Sequence, residues 1–155
     1  MYKIVLVEPE IAPNTGNVAR LCAATRTELH LVHPLGFVLN DRKVKRAGLD
    51  YWSLVTIREH NSLDHFWQHL EAEGAGFHLL STKGNRSYTE VSYRPGDYLI
   101  FGPETRGLPE ELLKRYWEHT LRIPMYSEAR SLNLSNSVAI VTYEALRQQG
   151  FPGLI

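Results

Sequence analysis

Short runs of apolar, often β-branched residues alternate along this 155-residue chain with segments of helical hydrophobic periodicity. We predict strands at six of these runs, namely 2–8, 29–33, 54–59, 77–82, 97–102 and 119–124. Helices are predicted between them, near 16–26, 40–48, 63–73, 109–117 and 135–149. Several strands are apolar throughout, which indicates burial on both faces. The alternation therefore predicts an α/β fold in which helices cover both faces of a parallel sheet.

Composition narrows the class of protein. Hydrophobic residues make up 43% of the chain and charged residues 22%, as in an ordinary globular protein. Seventeen basic residues balance seventeen acidic ones, so any nucleic-acid surface must be local. The first apolar run is too short for a signal peptide or a membrane span. The single cysteine, Cys22, fits a reducing cytoplasm. With no linker or repeat, we expect a single cytoplasmic domain over residues 1–155.

Loops that follow strands hold most of the unusual Gly, Pro, Asn and Ser residues. In parallel α/β sheets, ligands bind beyond the carboxyl ends of the strands. The loops of interest are therefore "EPEIAPNTGN", "STKGN", "FGPETRGLP" and "IPMYSEARSLNLSN". Their concentration of turn and hydrogen-bonding residues predicts a polar binding site at one edge of the sheet.

The first of these loops leads from a strand into a helix. Asn14 or Thr15 could cap that helix, and its N-terminus would favour an anion such as a phosphate. Arg20 lies six residues after Asn14, so both could border one pocket. A capped helix with a solvated arginine is the alternative. The segment matches neither the G-x-G-x-x-G pattern nor the phosphate-loop pattern, which disfavours the common nucleotide-binding folds.

Two further segments concentrate unusual residues. In "FGPETRGLP", glycines and prolines form a rigid loop that presents Glu104 and Arg106, unless the segment is simply a turn before a helix. Before the last helix, small hydrogen-bonding side chains crowd into seven residues, more than a single helix cap requires. These are Ser131, Asn133, Ser135, Asn136 and Ser137.

A basic segment and a pair of histidines indicate a function less specifically than these loops do. Residues 42–46 carry four basic side chains beside Tyr51 and Trp52, which suits RNA phosphates and bases, although a solvated charged face is the commoner outcome. His65 and His69 have the i, i+4 spacing of zinc ligands, but no H-E-x-x-H motif or convincing further ligand accompanies them. We therefore expect no metal site.

Three segments together resemble, in order and spacing, the motifs of SPOUT-class RNA ribose 2′-O-methyltransferases. They are "NTGNVAR", "FGPETRGLP" and "RIPM…RSLNLSNSVAIVTYEALRQQG". The likeness is to the small single-domain subfamily that methylates the wobble nucleotide of leucine tRNAs. It implies a parallel α/β sheet with a C-terminal trefoil knot, bound S-adenosylmethionine, a homodimer, and the anticodon stem-loop of tRNA as partner.

The resemblance also assigns roles to residues of this chain. The S-adenosylmethionine site would consist of Leu80, Gly102, Ile123, Met125, Ser131 and Leu132. The catalytic group at the ribose would be Asn14, Arg20, Glu104, Asn133 and Ser135. The tRNA contacts would be Arg42, Lys43, Lys45, Arg46 and Lys83. The family analogy makes Arg20 a general base, but guanidinium groups stay protonated in proteins. We therefore expect Arg20 to position the ribose or stabilise negative charge.

Some positions depart from the family pattern. Arg26 stands where many relatives have a glycine at the end of the first helix, and Leu132 and Leu146 replace methionine and tryptophan. Two other functions remain open from sequence. One is a non-catalytic RNA-binding module of the same fold, and the other is an α/β enzyme that binds a nucleotide phosphate at the "PNTGN" helix start.

Overall fold

Seven parallel strands form one sheet in the computed structural model, which describes residues 1–39 and 52–155. The strands are β1 (Lys3–Val7), β2 (Glu28–Val32), β3 (Ile57–His60), β4 (Phe77–Leu80), β5 (Arg86–Ser87), β6 (Tyr98–Phe101) and β7 (Thr120–Arg122). The described helices are α1 (Ala12–Thr25), α2 (Leu63–Glu73), α3 (Glu110–Arg115) and α4 (Leu134–Gln148), with short 3₁₀ turns at Trp52–Leu54 and Trp117–His119. The strand order across the sheet is β3-β2-β1-β6-β4-β7-β5.

The predicted elements within the described residues agree with this architecture, apart from an additional strand and the start of the first helix. All six predicted strands are present, whereas β5 was not predicted because two residues are too few to show a hydrophobic pattern. The first helix begins at Ala12 rather than near residue 16, since Pro13 is accommodated in its first turn. The helix predicted over 40–48 lies outside the described residues.

Both faces of the sheet are buried, as the apolar strands predict. Along β1, Ile4 and Leu6 belong to the core beneath α1 and α4, while Val5 and Val7 belong to the core that includes Phe66 of α2. All four side chains are at most 1% exposed, so each contributes its full apolar surface to burial. The central strand therefore has to be apolar at every position, because successive side chains point to opposite faces.

The C-terminal helix α4 is tied to the rest of the chain by polar contacts as well as by packing. Tyr2 donates its hydroxyl hydrogen to the carbonyl of Ala145 at 3.1 Å. Gln148 accepts from the N–H of Tyr93 and donates to the carbonyl of Val91, at 2.9 Å in both cases. These bonds hold α4 against the residue before β1 and against the segment between β5 and β6. The trefoil knot itself, a matter of chain threading, stays a prediction.

Three neighbouring strands bring their carboxyl ends to the same level. Leu80 of β4 pairs in register with Phe101 of β6 on one side and with Leu121 of β7 on the other. The loops that follow these strands therefore meet at one edge of the sheet. None of the helices within the described ranges is both long enough and apolar enough to cross a membrane.

Candidate active site

A cavity of about 490 Å³ lies at this edge, beyond the carboxyl ends of β4, β6 and β7. Its volume falls within the range of roughly 300–1,000 Å³ that is usual for small-molecule sites. All six residues predicted for the cofactor line it: Leu80, Gly102, Ile123, Met125, Ser131 and Leu132. Parallel strands explain this convergence, because residues distant in sequence that follow adjacent strands must end at the same edge.

The wall of the cavity at Gly102 is made of closely packed main chain. A Cβ atom at this position would lie 2.4 Å from the nitrogen of Leu108 and 2.5 Å from the carbonyl carbon of Gly107. The intervening loop closes on itself through a 2.9 Å hydrogen bond from the N–H of Gly107 to the carbonyl of Pro103, and Gly107 has a left-handed φ of 70°. The glycines of "FGPETRGLP" are therefore required by space and by backbone conformation.

Glu104 caps helix α1 from a loop about 90 residues away in sequence. Its carboxylate accepts hydrogen bonds from the backbone N–H groups of Glu10 and Ile11, both at 2.8 Å, and from Nδ2 of Asn14 at 3.2 Å. The N-cap residue is Ile11, whose side chain supplies no cap, so the predicted caps Asn14 and Thr15 are wrong. The predicted phosphate site at this helix start is also wrong, because the carboxylate occupies the positive end of the helix.

Asn14 connects Glu104 to the start of α4. Its Oδ1 accepts from Nδ2 of Asn133 at 3.1 Å. Oδ1 of Asn133 in turn accepts from the hydroxyl of Ser135 at 2.6 Å and from the N–H of Asn136 at 3.3 Å, which makes Asn133 the N-cap of α4. Among the crowded Ser and Asn residues, Asn133 thus has two tasks. Asn133 satisfies an open N–H group at the start of α4, and through Asn14 it joins the three loops into one hydrogen-bonded chain.

The predicted catalytic residues separate into two groups. Asn14, Glu104 and Asn133 line the cavity, whereas Ser135 stands behind Asn133 and is not part of the lining. Arg20 is exposed on α1 and does not line the cavity either. Six residues of helix turn its side chain about 120° away from that of Asn14 and carry it roughly 9 Å along the axis. Asn14 and Arg20 therefore do not border one pocket within a single chain.

The predicted RNA contacts are placed only in part. Lys83 lines the cavity, where its Nζ lies 2.8 Å from Oε1 of Glu110, and both side chains are largely exposed. The basic residues Arg42, Lys43, Lys45 and Arg46 lie outside the described residues.

The sequence reasoning overlooked several residues of the cavity edge. Arg130 and Thr105 line the cavity beside Arg106, which the sequence does predict on the rigid "FGPETRGLP" loop. Glu10 accepts from both the N–H and the hydroxyl of Thr105, and these hydrogen bonds lower the pKa of its carboxyl below the ordinary value. The sequence does contain a signal for Glu10: two acidic residues, in "EPE", directly follow the first strand. No neighbouring residue in the sequence accounts for them, which indicates partners elsewhere in the fold.

The two histidines considered for zinc, His65 and His69, both lie on α2. His69 lies 3.2 Å from the hydroxyl of Tyr98 and 3.3 Å from Oε2 of Glu73, on the face of the sheet covered by α2. Within residues 1–39 and 52–155, no group of three or more His, Cys, Asp or Glu side chains is arranged to hold a metal ion.

Comparison with known proteins agrees with this geometry. A protein of Escherichia coli (strain K12) named tRNA (cytidine(34)-2′-O)-methyltransferase is 50% identical over 157 residues, covering 100% of this chain and 98% of its own. A solved structure described as giving insight into the 2-OH methylation of C/U34 on tRNA superposes with a TM-score of 0.92 at 51% identity, covering 97% of both chains.

A more distant structure shares the fold and carries a ligand. The AdoMet-bound rRNA methyltransferase of Sinorhizobium meliloti superposes with a TM-score of 0.86 at 25% identity, covering 94% of this chain and 56% of its own. The model of the SpoU rRNA methylase family matches residues 1–143. With three loops joined around one cavity and this match over most of its length, the chain belongs to the SpoU rRNA methylase family.

Proposed function

We propose that this protein transfers a methyl group from S-adenosylmethionine to the ribose 2′-hydroxyl of the wobble nucleotide, position 34, of tRNA. The observation that carries the proposal is the meeting of the loops after β1, β4, β6 and β7 around one cavity of about 490 Å³. The names of the Escherichia coli relative and of the structure with a TM-score of 0.92 support both the reaction and the position. A tRNA substrate also agrees with the predicted cytoplasmic location.

The cavity fits S-adenosylmethionine in size and in chemical character. Leu80, Ile123 and Leu132 provide apolar surface for the adenine, while the tightly packed main chain at Gly102 offers backbone donors and acceptors at close range. Met125, near the start of the last loop, and Ser131, near its end, also line the cavity. When bound, S-adenosylmethionine supplies a sulfonium methyl group that a ribose oxygen can attack in line.

Residues on the acceptor side have the means to orient a ribose. The amide of Asn14 is fixed at both ends, since its Nδ2 donates to Glu104 and its Oδ1 accepts from Asn133. Fixed orientation of reacting groups can supply on the order of 7–11 kcal/mol of a reaction barrier. Both oxygens of Glu104 already accept hydrogen bonds, so we assign Glu104 to holding Asn14 and α1, with Ser135 holding Asn133.

We further propose that the active form is a homodimer and that Arg20 acts in the partner's cavity. Arg20 shares the exposed face of α1 with Asn17 and Ala24. Ala24 borders a second concavity that also contains Tyr143 and Phe151, which remain 44% and 40% exposed. An exposed apolar surface beside Arg20 suits a second copy of the chain, which would carry Arg20 to a site that its own subunit cannot reach.

Mixing two inactive variants tests this arrangement. Arg20→Ala removes the arginine, and Gly102→Ala obstructs the cavity of its own subunit. If Arg20 acts across the dimer, co-refolded mixtures regain up to about a quarter of wild-type activity, because random pairing of a two-fold dimer gives half heterodimers with one complete site each. Absence of any regained activity, with heterodimers verified by mass, would contradict the cross-subunit role.

The function itself is tested by binding and by turnover. Calorimetry should give saturable binding of S-adenosylmethionine, and methylation of bulk tRNA lacking this modification should place the new methyl group on nucleotide 34 after nuclease mapping. Salt-sensitive tRNA binding without methyl transfer would instead identify the chain as a non-catalytic RNA-binding module. The anticodon stem-loop alone, compared with an acceptor-stem hairpin, shows which part of tRNA is recognised.

A further inference from the structure

Two loops of the candidate active site are joined by reciprocal hydrogen bonds, in which a glutamate of each loop accepts from residues of the other. Glu104, after β6, accepts from the backbone N–H groups of Glu10 and Ile11 at 2.8 Å. Glu10, after β1, accepts from the N–H of Thr105 at 2.9 Å and from its hydroxyl at 2.8 Å. Each glutamate therefore holds the stretch of backbone that carries the other one. We refer to Glu10, Thr105 and Glu104 with these hydrogen bonds as the carboxylate clasp.

The two sides of the clasp differ in how firmly they are held. On the side of Glu10, the N–H of Gly36 donates to the carbonyl of Pro9 at 2.9 Å, and a Cβ at Gly36 would lie only 2.8 Å from the Glu10 backbone. This turn is thus backed by a close main-chain contact. On the other side, Thr105 and Arg106 are exposed loop residues. The contact of Arg106 with Glu8, at 2.8 Å, is an exposed ion pair of the kind that contributes little.

The less firmly held side is the one that forms the cavity. Glu104, Thr105 and Arg106 all line it, whereas Glu10 does not. The carboxylate of Glu10 therefore acts on the cavity through Thr105. Its charged carboxylate receives two hydrogen bonds from one residue, and hydrogen bonds to an ionised acceptor are about twice as strong as neutral ones.

We propose that Glu10 is a positioning residue for the cofactor: by holding Thr105, it keeps the loop between Pro103 and Gly107 in the arrangement that forms the wall of the cavity. This inference rests on the proposed function, in which the cavity receives S-adenosylmethionine. Without the Glu10 carboxylate, the loop is released to other conformations, and the apparent dissociation constant rises by the inverse of the fraction that remains competent. Saturating cofactor selects the competent arrangement again, so turnover at saturation is preserved.

Three variants test the clasp. Glu10→Ala removes the acceptor, Glu10→Gln keeps one side-chain oxygen at the same reach, and Glu71→Ala removes an exposed carboxylate from α2 on the opposite face of the sheet. We expect Glu10→Ala to raise the dissociation constant and KM for S-adenosylmethionine about tenfold, as when roughly a tenth of the loops stay competent, with kcat within about twofold of wild type. Glu10→Gln should recover most of the affinity, and Glu71→Ala should leave it unchanged.

Hydrogen exchange of the Thr105 amide reports on the clasp independently of the cofactor. The amide should be protected in the wild-type protein and in Glu71→Ala, and should exchange faster in Glu10→Ala. Thr105→Val supplies a second route, since its effect on affinity should be less than additive with that of Glu10→Ala.

The outcomes that overturn the inference are separate from those that overturn the function. A wild-type affinity in Glu10→Ala, or an equal loss in Glu10→Gln and Glu10→Ala, contradicts the positioning role. Rapid exchange of the Thr105 amide in the wild-type protein contradicts the clasp itself. Failure of the wild-type protein to bind S-adenosylmethionine overturns the proposed function and the cofactor role of Glu10 with it, while the amide measurement still decides whether the clasp exists.

Discussion

Replacing Gly102 with alanine should disable the cavity with only a limited loss of stability. The added Cβ would lie 2.4 Å from the nitrogen of Leu108 and 2.5 Å from the carbonyl carbon of Gly107, where real Cβ contacts are at least 3.0 Å. Both opposing atoms belong to the main chain, so no side-chain rotation can relieve the overlap. The loop from Pro103 to Gly107 must therefore move as a whole, by a distance approaching 1 Å.

The size of the effect follows from that displacement. Overpacking of a well-packed site usually costs about 1–3 kcal/mol, so we expect a loss of about 2 kcal/mol in the free energy of unfolding. For a chain of this length, that corresponds to a fall in Tm of about 4–8 °C. A misplacement of about 1 Å at a reacting site can reduce the rate about a hundredfold. The activity should thus fall far more than the stability.

Gly76→Ala provides the matched control. A Cβ at Gly76 would lie 2.4 Å from Oδ1 of Asp97, at the opposite, amino-terminal end of β4 and β6. The Asp97 side chain can rotate away only by giving up its hydrogen bonds with His78 and with the N–H of Arg94, and the loss of buried hydrogen bonds costs about 1–3 kcal/mol. Urea unfolding should show a comparable destabilisation in the two variants, while calorimetry should show at least a tenfold weaker affinity for S-adenosylmethionine only in Gly102→Ala. Equal affinities in both variants would refute the assignment of the Gly102 loop to the cofactor.

Three further predictions concern stability and reactivity. Arg26→Gly should raise the free energy of unfolding by about 1 kcal/mol in thermal or urea melts, because Arg26 ends α1 in the left-handed region with φ 55°, where a side chain is strained. Burial holds the pKa of His30 and of His60 below the ordinary value of about 6.5, so the unfolded chain binds more protons than the folded one at acidic pH. The free energy of unfolding should therefore fall as the pH drops below about 6.5. In urea titrations, His30→Gln should make this dependence on pH weaker. Burial raises the pKa of Cys22 to about 12, so a thiol reagent at pH 8 should modify it only after unfolding.

The sequence predicts the sheet well because its hydrophobic pattern reflects burial on both faces. Ile4 and Val5 belong to the cores on opposite faces of the sheet, and both must be apolar. A strand of this kind therefore shows in the sequence as an uninterrupted run of apolar residues. The cofactor lining was predictable for a related reason. Leu80 ends β4, Gly102 and Ile123 follow β6 and β7, and the parallel topology alone brings these three strand ends together. Their roles, however, came from the family resemblance, since the spacing itself names no ligand.

The start of α1 was mispredicted because its cap is tertiary. Asn14 and Thr15 are good local capping residues, but the helix begins earlier, and the N–H of its N-cap residue Ile11 donates to Glu104. No pattern within ten residues of Ile11 signals a carboxylate that arrives from residue 104. Arg26 shows the reverse case. Its departure from the glycine of relatives was visible in the sequence, and the left-handed backbone gives the physical reason why glycine suits that position.

Charge around the cavity bears on how a chain with no net charge could hold tRNA. Lys83 and Arg106 line the cavity, but each lies 2.8 Å from a carboxylate, that of Glu110 or that of Glu8. In the part of the chain that the structure describes, the carboxylates of Glu110 and Glu8 therefore offset the positive charge of Lys83 and Arg106 at this edge of the sheet. These ion pairs contribute little net positive charge there to attract the phosphates of RNA. Affinity for an anticodon stem-loop then has to come from elsewhere. The basic residues over 42–46, or the surface of a second subunit, are the candidates.

Charge-removing substitutions at Lys43 and Lys45 should accordingly reduce the salt dependence of tRNA binding, with affinity for S-adenosylmethionine unchanged. An unaltered salt slope would place the phosphate contacts on another surface of the protein.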